Sequence, residues 1–303
     1  MKQLLNVASV SKQFVMGGLF SRDVINAVSD VSFALSAETA EIFTIIGESG
    51  SGKTTLARMI LGLEKPSSGA ISFDGLPVSD SLSRRERLSF MRRLQPVFQN
   101  PFEAFNPLKQ VDRYLLSTAK TLLGVTEPEQ IEAAMDAALR KVGLSLKEIA
   151  GRYAHELSGG QLQRVAIARA LIPEPALLIA DEPVSMVDAS LRMSIVNLLR
   201  DLRDKFGVSV IYITHDLATA YYISDRIMIM QKGHVVEMGP AKPILEQPEH
   251  PYSKLLKASV LSTEDAGQGT LQPADRTIVQ AAWERPEGGK LVERAGGRLV
   301  RIY

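Results

Sequence analysis

The chain has 303 residues, 45% of them hydrophobic, which is enough for one large domain or for two to three smaller ones. Lys and Arg (35) nearly cancel Asp and Glu (34), which excludes an overall field that would attract nucleic acid or an acidic membrane surface. The chain contains no cysteine, which excludes disulfides, thiolate metal sites, iron–sulfur clusters and cysteine nucleophiles.

The N-terminal residues, MKQLLNVASVSKQF, lack the apolar core and the small-residue cleavage site of a signal peptide. No later stretch approaches the roughly 18 uninterrupted apolar residues that a membrane-spanning helix needs. We therefore expect a soluble chain, which a partner with spanning helices would have to hold if the protein works at a membrane.

Short apolar runs alternate with helical patterns along most of the chain. Such runs are typical of strands buried on both faces, and they predict strands at Val31–Leu35, Glu41–Ile46, Ala70–Phe73, Ala176–Ala180, Ser209–Thr214 and Arg226–Met230. Helical patterns follow three of them, at Lys53–Leu61, Leu191–Phe206 and Leu217–Ser224. This alternation predicts a mainly parallel sheet with helices on both faces.

The segment IIGESGSGKTTLARMI, Ile45–Ile60, contains the pattern G-x-x-x-x-G-K-[ST] as Gly47, Gly52, Lys53 and Thr54. It follows an apolar strand and opens a helix, which is the context that this phosphate-binding motif requires. The glycines allow backbone N–H groups to point at phosphate oxygens, Lys53 would reach the β- and γ-phosphates, and the Thr54 hydroxyl would bind Mg²⁺.

Between about Leu108 and Leu157 the pattern is helical only, which predicts an inserted helical region. Within it, Ile131, Met135 and Leu139 recur four residues apart and define one apolar face. Just before it, Gln99 follows an apolar pair in VFQNPFEAFNP, where by itself it has the character of a turn residue.

The helical region ends in HELSGGQLQRVAIARAL, where Ser158, Gly159 and Gly160 mark the start of a helix. Ser158 is a favourable N-cap, and glycine costs a helix interior about 1 kcal/mol relative to alanine, so the two glycines belong at a helix end. The N–H groups and partial positive charge of a helix start suit an anion such as phosphate. A flexible turn before a core helix is the alternative when this segment is considered by itself.

Two strand ends carry further polar side chains. ALLIADEP ends in the adjacent carboxylates of Asp181 and Glu182, which indicate a cation or a reacting group at that point. Asp181 is suited to hold Mg²⁺, and Glu182 is suited to polarise an attacking water. VIYITHD places His215 at another strand end, from which it would touch a γ-phosphate if these strand ends converge on one crevice.

The C-terminal part contains two different patterns. HPYSKLLKASV, His250–Val260, predicts a short helix opened by His-Pro-Tyr. The turn-rich stretch STEDAGQGTLQPADRT follows, and then weakly strand-like pieces in LVERAGGRLVRIY. The sequence does not indicate what the residues after Ser262 do.

In this order the motifs resemble those of the ATP-binding subunits of ABC transporters, over nearly the whole chain. The Walker A loop corresponds to GESGSGKTT, the Walker B strand to LLIADEP, the Q-loop to Gln99, the signature to LSGGQ, the D-loop to Ser185–Asp188 and the switch histidine to His215. The resemblance implies an α/β fold: a P-loop NTPase (RecA-like) core with an N-terminal antiparallel β portion, an inserted helical subdomain and a short C-terminal extension.

The resemblance also divides the chain into four parts. Residues 1–105 would form the first part of the nucleotide-binding core, with the antiparallel β region, Walker A and the Q-loop. Residues 106–160 would form the helical subdomain that ends in the signature. Residues 161–248 would complete the core with Walker B, the D-loop and the switch histidine, and residues 249–303 would be the extension with the His-Pro-Tyr motif.

Site residues carry over from the family position by position. They imply catalytic roles for Glu182, His215 and Gln99, and an Mg²⁺ site that involves Thr54, Gln99 and Asp181. They imply contacts with ATP at Phe14, Gly47, Glu48, Ser49, Gly50, Ser51, Gly52, Lys53, Thr54 and Thr55. In a head-to-tail dimer the nucleotide of one subunit would also meet the other subunit's Ser158, Gly159, Gly160 and Gln161. The resemblance implies a nucleotide contact for Asp188 as well.

The sequence departs from the family pattern at two points. The D-loop has Ser185, Met186 and Val187 before Asp188, where Ala-Leu is more usual. Phe14 stands where a tyrosine more often stacks on adenine, next to an inserted GGLFSRD. Asp188 and an aromatic ring are both present, so we expect function to survive both changes.

His250-Pro251-Tyr252 and the surroundings of Gln99 resemble the oligopeptide and dipeptide importer branch. This implies a peripheral subunit on the cytoplasmic face of the inner membrane, using ATP and Mg²⁺. Its partners would be a second ATPase subunit (the same chain or a homologue), two integral-membrane permease subunits and, indirectly, an extracytoplasmic solute-binding protein, with no nucleic acid.

Other readings of the same motifs stay open. An importer or exporter motor for another cargo, such as a nickel chelate or a sugar, would keep every catalytic motif. A soluble ABC ATPase acting on nucleic acid or the ribosome would usually carry two cassettes or a long coiled coil, and the near-neutral charge argues against it.

Overall fold

We describe a computed structural model of the chain over residues 2–16, 23–100, 105–185, 187–264 and 289–303. Met186 of the predicted D-loop, most of the inserted GGLFSRD and most of the turn-rich tail segment lie outside these described residues.

The strands, in chain order, are β1 (Gln3–Met16), β2 (Asp23–Ser36), β3 (Ile42–Ile46), β4 (Ser68–Phe73), β5 (Leu76–Pro77), β6 (Leu94–Val97), β7 (Leu177–Asp181), β8 (Ser209–Thr214), β9 (Arg226–Gln231), β10 (His234–Pro240), β11 (Lys290–Arg294) and β12 (Arg298–Ile302). The α-helices are α1 (Lys53–Ile60), α2 (Arg84–Arg93), α3 (Asp112–Thr118), α4 (Pro128–Lys141), α5 (Leu146–Ile149), α6 (Gly159–Leu171), α7 (Ala189–Phe206), α8 (Leu217–Ile223), α9 (Ala241–Glu246) and α10 (Pro251–Glu264).

The chain divides into two compact units. The first contains residues 1–79 and 213–303, and the second contains residues 80–212. The four-part functional division predicted from the sequence has other boundaries and stays a prediction.

The first unit contains a four-stranded antiparallel sheet with the strand order β2-β1-β4-β5. Its other strands follow the order β11-β12-β10-β9-β3, in which β3 and β9 are parallel and the remaining pairs are antiparallel. All five residues of β3 are buried, which explains its uniformly apolar composition apart from Thr44.

The sequence patterns predict no strand over β1, and the structure shows why. The pairing of β1 with β2 shifts register between Val7 and Val10 and again between Val10 and Lys12. Ser9 and Asp30 have positive φ angles of 47° and 48° in this part of the two strands. Such irregularities break the alternation of apolar and polar residues on which strand prediction depends.

The second unit contains β6 and β7, which pair in parallel, and most of the helices. The region predicted as helical contains α3, α4 and α5, a π-helical turn at Ala119–Leu123 and a 3₁₀ turn at Ala154–Glu156. The predicted apolar face of α4 is confirmed, since Ile131, Met135 and Leu139 are all buried. The predicted helices after β3, β7 and β8 are also confirmed as α1, α7 and α8.

The His-Pro-Tyr segment opens α10, as predicted, and its histidine caps that helix. His250 is 3% exposed, and its Nδ1 accepts the backbone N–H of Tyr252 at 3.1 Å. Burial, followed by the nearby charges of Arg301 and Lys254, lowers the pKa of His250 to about 4. The imidazole is therefore neutral at pH 7 in the folded chain.

This depressed pKa predicts a loss of stability in mild acid. As the pH falls from 7 towards 4, His250 is protonated in the unfolded chain, where its pKa is near 6.5, and stays neutral in the folded chain. Between pH 7 and pH 5 this linkage removes about 2 kcal/mol of unfolding free energy. His250→Asn keeps a capping acceptor and removes the titration, so urea unfolding at both pH values should show a smaller loss for the variant. Equal losses would assign the acid sensitivity to other groups.

Candidate nucleotide-binding and catalytic site

The predicted phosphate-binding loop lies between β3 and α1, and glycine is required at its positions for different structural reasons. A Cβ on Gly47 would lie 2.3 Å from the Met230 carbonyl oxygen, and a Cβ on Gly52 would lie 2.2 Å from the Ala27 carbonyl oxygen. Gly50 faces open space and needs glycine only for its φ of 79°. The loop therefore passes so close to neighbouring backbone that two of its positions exclude any side chain.

Lys53 is folded onto this loop. Its Nζ donates to the carbonyl oxygens of Gly47 and Glu48, both at 2.7 Å, and the residue is 5% exposed. The first turn of α1 contains no acidic residue to neutralise the partial positive charge of the helix N-terminus. A lysine ammonium and a free helix start at the end of a glycine loop are the features that bind phosphate.

The remaining polar residues of the loop differ in exposure. Glu48, Ser49 and Thr54 are exposed, Thr55 is half-buried, and Ser51 is buried. Thr54 lies in the first turn of α1, at the helix start that follows the loop.

Replacing Gly52 with alanine is expected to unfold or displace the loop. The new Cβ would meet the Ala27 carbonyl oxygen while the backbone keeps a φ of 100°, so we expect a loss of at least about 3 kcal/mol of unfolding free energy together with nucleotide binding. Gly50→Ala is the matched control, because it has the positive φ without the clash and should cost only about 1 kcal/mol. Thermal unfolding and nucleotide titration of both variants check this; equal effects would contradict it.

Two other predicted residues of the first unit lie at the surface. Phe14, on β1, is 37% exposed, and the Lys12 ammonium lies 5.0 Å from its ring centroid. His215 is exposed at the junction of β8 and α8. Its neighbour Asp216 caps α8 by accepting the N–H groups of Ala218 and Thr219 at 2.9 and 3.3 Å, which fixes the backbone beside His215.

In the second unit, two predicted catalytic residues that are 83 positions apart are in contact. Gln99 Nε2 donates to Glu182 Oε2 at 3.1 Å. They meet because Gln99 follows β6 and Glu182 follows β7, and the parallel pairing of Val97 with Ala180 brings the two strand ends level. Asp181, the last residue of β7, is half-buried beside them.

Glu182 has a backbone conformation that is rare for its residue type. Its φ is 46°, in the left-handed region, at a cost of about 1 kcal/mol. Ser185 secures this turn, because both its N–H and its hydroxyl donate to the Glu182 carbonyl oxygen, at 3.2 and 3.0 Å. Ser185, in the predicted D-loop, thus holds the backbone of Glu182 in a strained conformation. Because this backbone is fixed, the directions open to the predicted catalytic side chain are limited. Asp188, at the end of this segment, is exposed.

The signature segment forms the predicted helix start. Ser158 Oγ accepts the Gln161 N–H at 3.2 Å, and Gln161 Oε1 accepts the Ser158 N–H at 3.1 Å, which is a capping box. Ser158 and Gln161 are exposed and Gly159 is half-buried, so this helix start can be approached from outside the unit. Besides the Gln161 N–H, which Ser158 Oγ already accepts, the start of an α-helix offers N–H groups that have no acceptor within the helix, and a serine hydroxyl can donate as well.

The structure gives a second reason for glycine at position 160, which the sequence did not indicate. It is buried, and a Cβ there would lie 2.8 Å from Leu191 Cδ1, on α7. Glycine at this position therefore allows α6 and α7 to approach, whereas the sequence suggests only an open backbone for a ligand.

Three further structural findings concern the described residues. In the described part of the chain, no three His, Cys, Asp or Glu side chains come together as metal ligands, and no helix is long and apolar enough to cross a membrane. One contact of the loop could not be predicted from the sequence: the Tyr252 hydroxyl oxygen accepts the Glu48 N–H at 3.0 Å. The His-Pro-Tyr motif was a visible signal, but nothing in the sequence connects it with the loop.

Comparisons with known proteins identify the family of the chain. The family model described as ABC transporter matches residues 28–185. A probable peptide ABC transporter ATP-binding protein, y4tS of Sinorhizobium fredii (strain NBRC 101917 / NGR234), is 40% identical over 84% of this chain and 72% of its own length. The oligopeptide transport ATP-binding proteins AppF and OppF of Bacillus subtilis (strain 168) are 39% and 38% identical, over 87% and 86% of this chain and 80% and 83% of theirs.

Solved structures show the same fold. A dimeric, post-hydrolysis structure of the ATP-binding cassette MJ0796, bound to ADP and Pi, superposes with a TM-score of 0.68 at 28% identity, over 78% of this chain and 98% of that one. The structure of cbiO1 from Clostridium perfringens, part of the complex cbiONQ, gives 0.67 at 26% identity, over 88% and 100% of the two chains. The predicted P-loop NTPase fold is thus confirmed, and the chain belongs to the ABC transporter family as an ATP-binding subunit with ATPase activity.

Proposed function

We propose that this chain is the ATPase subunit of an ABC importer for oligopeptides or dipeptides. The observation that carries the proposal is the similarity, at 38–40% identity over most of the chain, to proteins named as ATP-binding subunits of peptide transport. The helix α10, opened by His250-Pro251-Tyr252, supports the same branch.

In this proposal the loop residues from Gly47 to Thr55 bind the ATP phosphates, with Lys53 on the β- and γ-phosphates and Phe14 against the adenine. Thr54, Gln99 and Asp181 would hold Mg²⁺, as the family resemblance implies. A cation with so few protein ligands suits Mg²⁺, which commonly takes one or two carboxylates and completes its shell with substrate phosphates and water. When bound, Mg²⁺ would supply positive charge that offsets the charge of the phosphates.

Glu182 orients and polarises the attacking water, and its hydrogen bond with Gln99 supports this role by setting the position of the carboxylate. His215 contacts the γ-phosphate. The capped start of α6 (Ser158, Gly159, Gly160 and Gln161) and Asp188 complete the site of a second ATPase subunit, the same chain or a homologue.

The four-part division belongs to the same proposal: 1–105 and 161–248 as core, 106–160 as helical subdomain and 249–303 as extension. Two integral-membrane permease subunits hold the dimer at the cytoplasmic face of the inner membrane. A solute-binding protein delivers the peptide, so this chain contacts ATP and its partners and not the cargo.

Affinity capture of the full chain from detergent-solubilised membranes of its native cell tests the proposal. The Glu182→Gln variant in ATP is the bait, and the same variant in ADP is the matched control. We expect two multi-span permease subunits and an ATPase partner with ATP, and peptide binding by the associated solute-binding protein. Capture of ribosomes or of soluble partners in place of a permease would overturn the transport assignment, and a sugar- or metal-binding protein would overturn the peptide assignment.

A further inference from the structure

The C-terminal extension is connected to the phosphate-binding loop by one side chain. Tyr252 is 1% exposed, and its ring lies in an apolar cluster that includes Ile46, the last residue before the loop. From there its hydroxyl oxygen accepts the Glu48 backbone N–H at 3.0 Å. Burial raises the pKa of Tyr252, so this hydroxyl is neutral at physiological pH.

The peptide group that Tyr252 holds joins Gly47 to Glu48, and its carbonyl oxygen, that of Gly47, accepts Lys53 Nζ at 2.7 Å. The Glu48 carbonyl oxygen accepts Lys53 Nζ at 2.7 Å and the Ser51 N–H at 3.2 Å. Tyr252 thus holds the N–H group of Glu48. The carbonyl oxygen of the same residue holds the Lys53 ammonium and closes the tight turn of the loop.

Tyr252 is itself held through His250. Since His250 Nδ1 accepts the Tyr252 N–H and the ring is neutral, its proton is on Nε2, which donates to the Tyr303 hydroxyl oxygen at 3.1 Å. Tyr303 follows β12 directly, so the C-terminal hairpin of β11 and β12 reaches the start of α10.

A buried ion pair secures the same segment. Glu237, on β10, is fully buried and accepts the N–H groups of Glu249 and His250 at 3.2 and 3.3 Å. Arg298, on β12, donates to Glu237 at 2.6 Å and to the Gln247 carbonyl oxygen at 2.8 Å. The hairpin therefore holds residues 247–250 in two ways: Arg298 contacts the backbone of Gln247 directly, and it positions the Glu237 carboxylate that accepts the backbone N–H groups of Glu249 and His250.

We propose that Tyr252 is a positioning residue for ATP binding, and that the hairpin of residues 289–303 acts on the phosphate-binding loop through Tyr303, His250 and Tyr252. The inference rests on nucleotide binding by this loop. It assigns to the C-terminal residues a contribution to nucleotide affinity, whereas a purely structural role in packing would change stability and leave the affinity of the folded chain unaltered.

The test is a fluorescence titration of the full chain with mant-ATP and Mg²⁺, together with steady-state hydrolysis. Tyr252→Phe removes one hydroxyl and keeps the ring. We expect a Kd and a KM for ATP raised about three- to tenfold, with kcat and the thermal midpoint nearly unchanged. Tyr221→Phe is the matched control, since its exposed hydroxyl makes one hydrogen bond, with Glu246 at 2.9 Å, away from the loop.

A double-mutant cycle tests the connection to the hairpin. Tyr303→Phe should raise the Kd in the native background and have no further effect in the Tyr252→Phe background, because it acts through Tyr252. Arg298 is left intact, because removing it would strand a buried carboxylate and unfold the hairpin. An unchanged Kd in Tyr252→Phe, or additive effects of the two changes, would overturn the inference. Failure of the wild-type chain to bind mant-ATP would instead overturn nucleotide binding itself.

Discussion

Replacing Glu182 with glutamine is expected to lower kcat for ATP hydrolysis by about 10²- to 10⁴-fold, the usual contribution of a general base. Affinity for ATP should be nearly unchanged. The substitution is isosteric, and the glutamine carbonyl oxygen can still accept the hydrogen bond that Gln99 Nε2 now donates to Glu182. Because ATP then persists, the variant should accumulate as a nucleotide-bound dimer, which size-exclusion chromatography in ATP will detect.

Glu174→Gln is the matched control for this experiment. Glu174 lies in the same unit and has a similar positive φ, 53° against 46°. Its carboxylate is exposed and makes a 3.7 Å ion pair with Lys141. The Glu174→Gln variant should hydrolyse ATP at the wild-type rate. Undiminished hydrolysis by Glu182→Gln would remove that residue from its proposed role, and equal losses in both variants would show that the change disturbs the unit as a whole.

Replacing Ser158 with arginine is expected to abolish hydrolysis, while the same chain still binds ATP at its own loop. The bulky side chain would occupy the exposed start of α6, which we propose closes over the partner's nucleotide. Because the change also removes a helix cap, it should cost about 1 kcal/mol of stability. Ser83→Arg is the matched control, since Ser83 forms the equivalent capping box with Glu86 on α2. This variant should lose the same stability and keep its hydrolysis.

A mixing experiment makes the trans role decisive. Lys53→Ala chains lack the phosphate-binding ammonium and Ser158→Arg chains lack the signature, so each variant is inactive as a homodimer. In an equimolar mixture, random pairing should restore up to about a quarter of wild-type activity, because half the dimers are mixed and each of these has one intact composite site. The mixture is assayed under conditions in which Glu182→Gln dimerises. Activity no higher than the sum of the two variants would contradict the head-to-tail arrangement.

Local features of the site followed from the sequence because the physical constraints are local. A glycine loop between an apolar strand and a helix can be recognised from adjacent residues, and the structure has Lys53 at the first position of α1. The Ser158 cap depends on residues three positions apart, and the apolar face of α4 depends on a spacing of four. Each of these requires nothing beyond the backbone geometry of one helix or turn.

Features that join distant parts of the chain did not follow, since their cause is the path of the backbone in space. Gln99 meets Glu182 only because β6 and β7 pair in register, and Gly160 is buried only because α7 brings Leu191 against it. The sequence identified the His-Pro-Tyr motif, yet only the folded chain joins Tyr252 to Glu48 across 204 positions. The sequence by itself thus determined which residues have the chemistry to bind phosphate and polarise water. The tertiary structure decided which of them touch and what holds them, because contacts between distant segments depend on strand register and helix packing that no local pattern encodes.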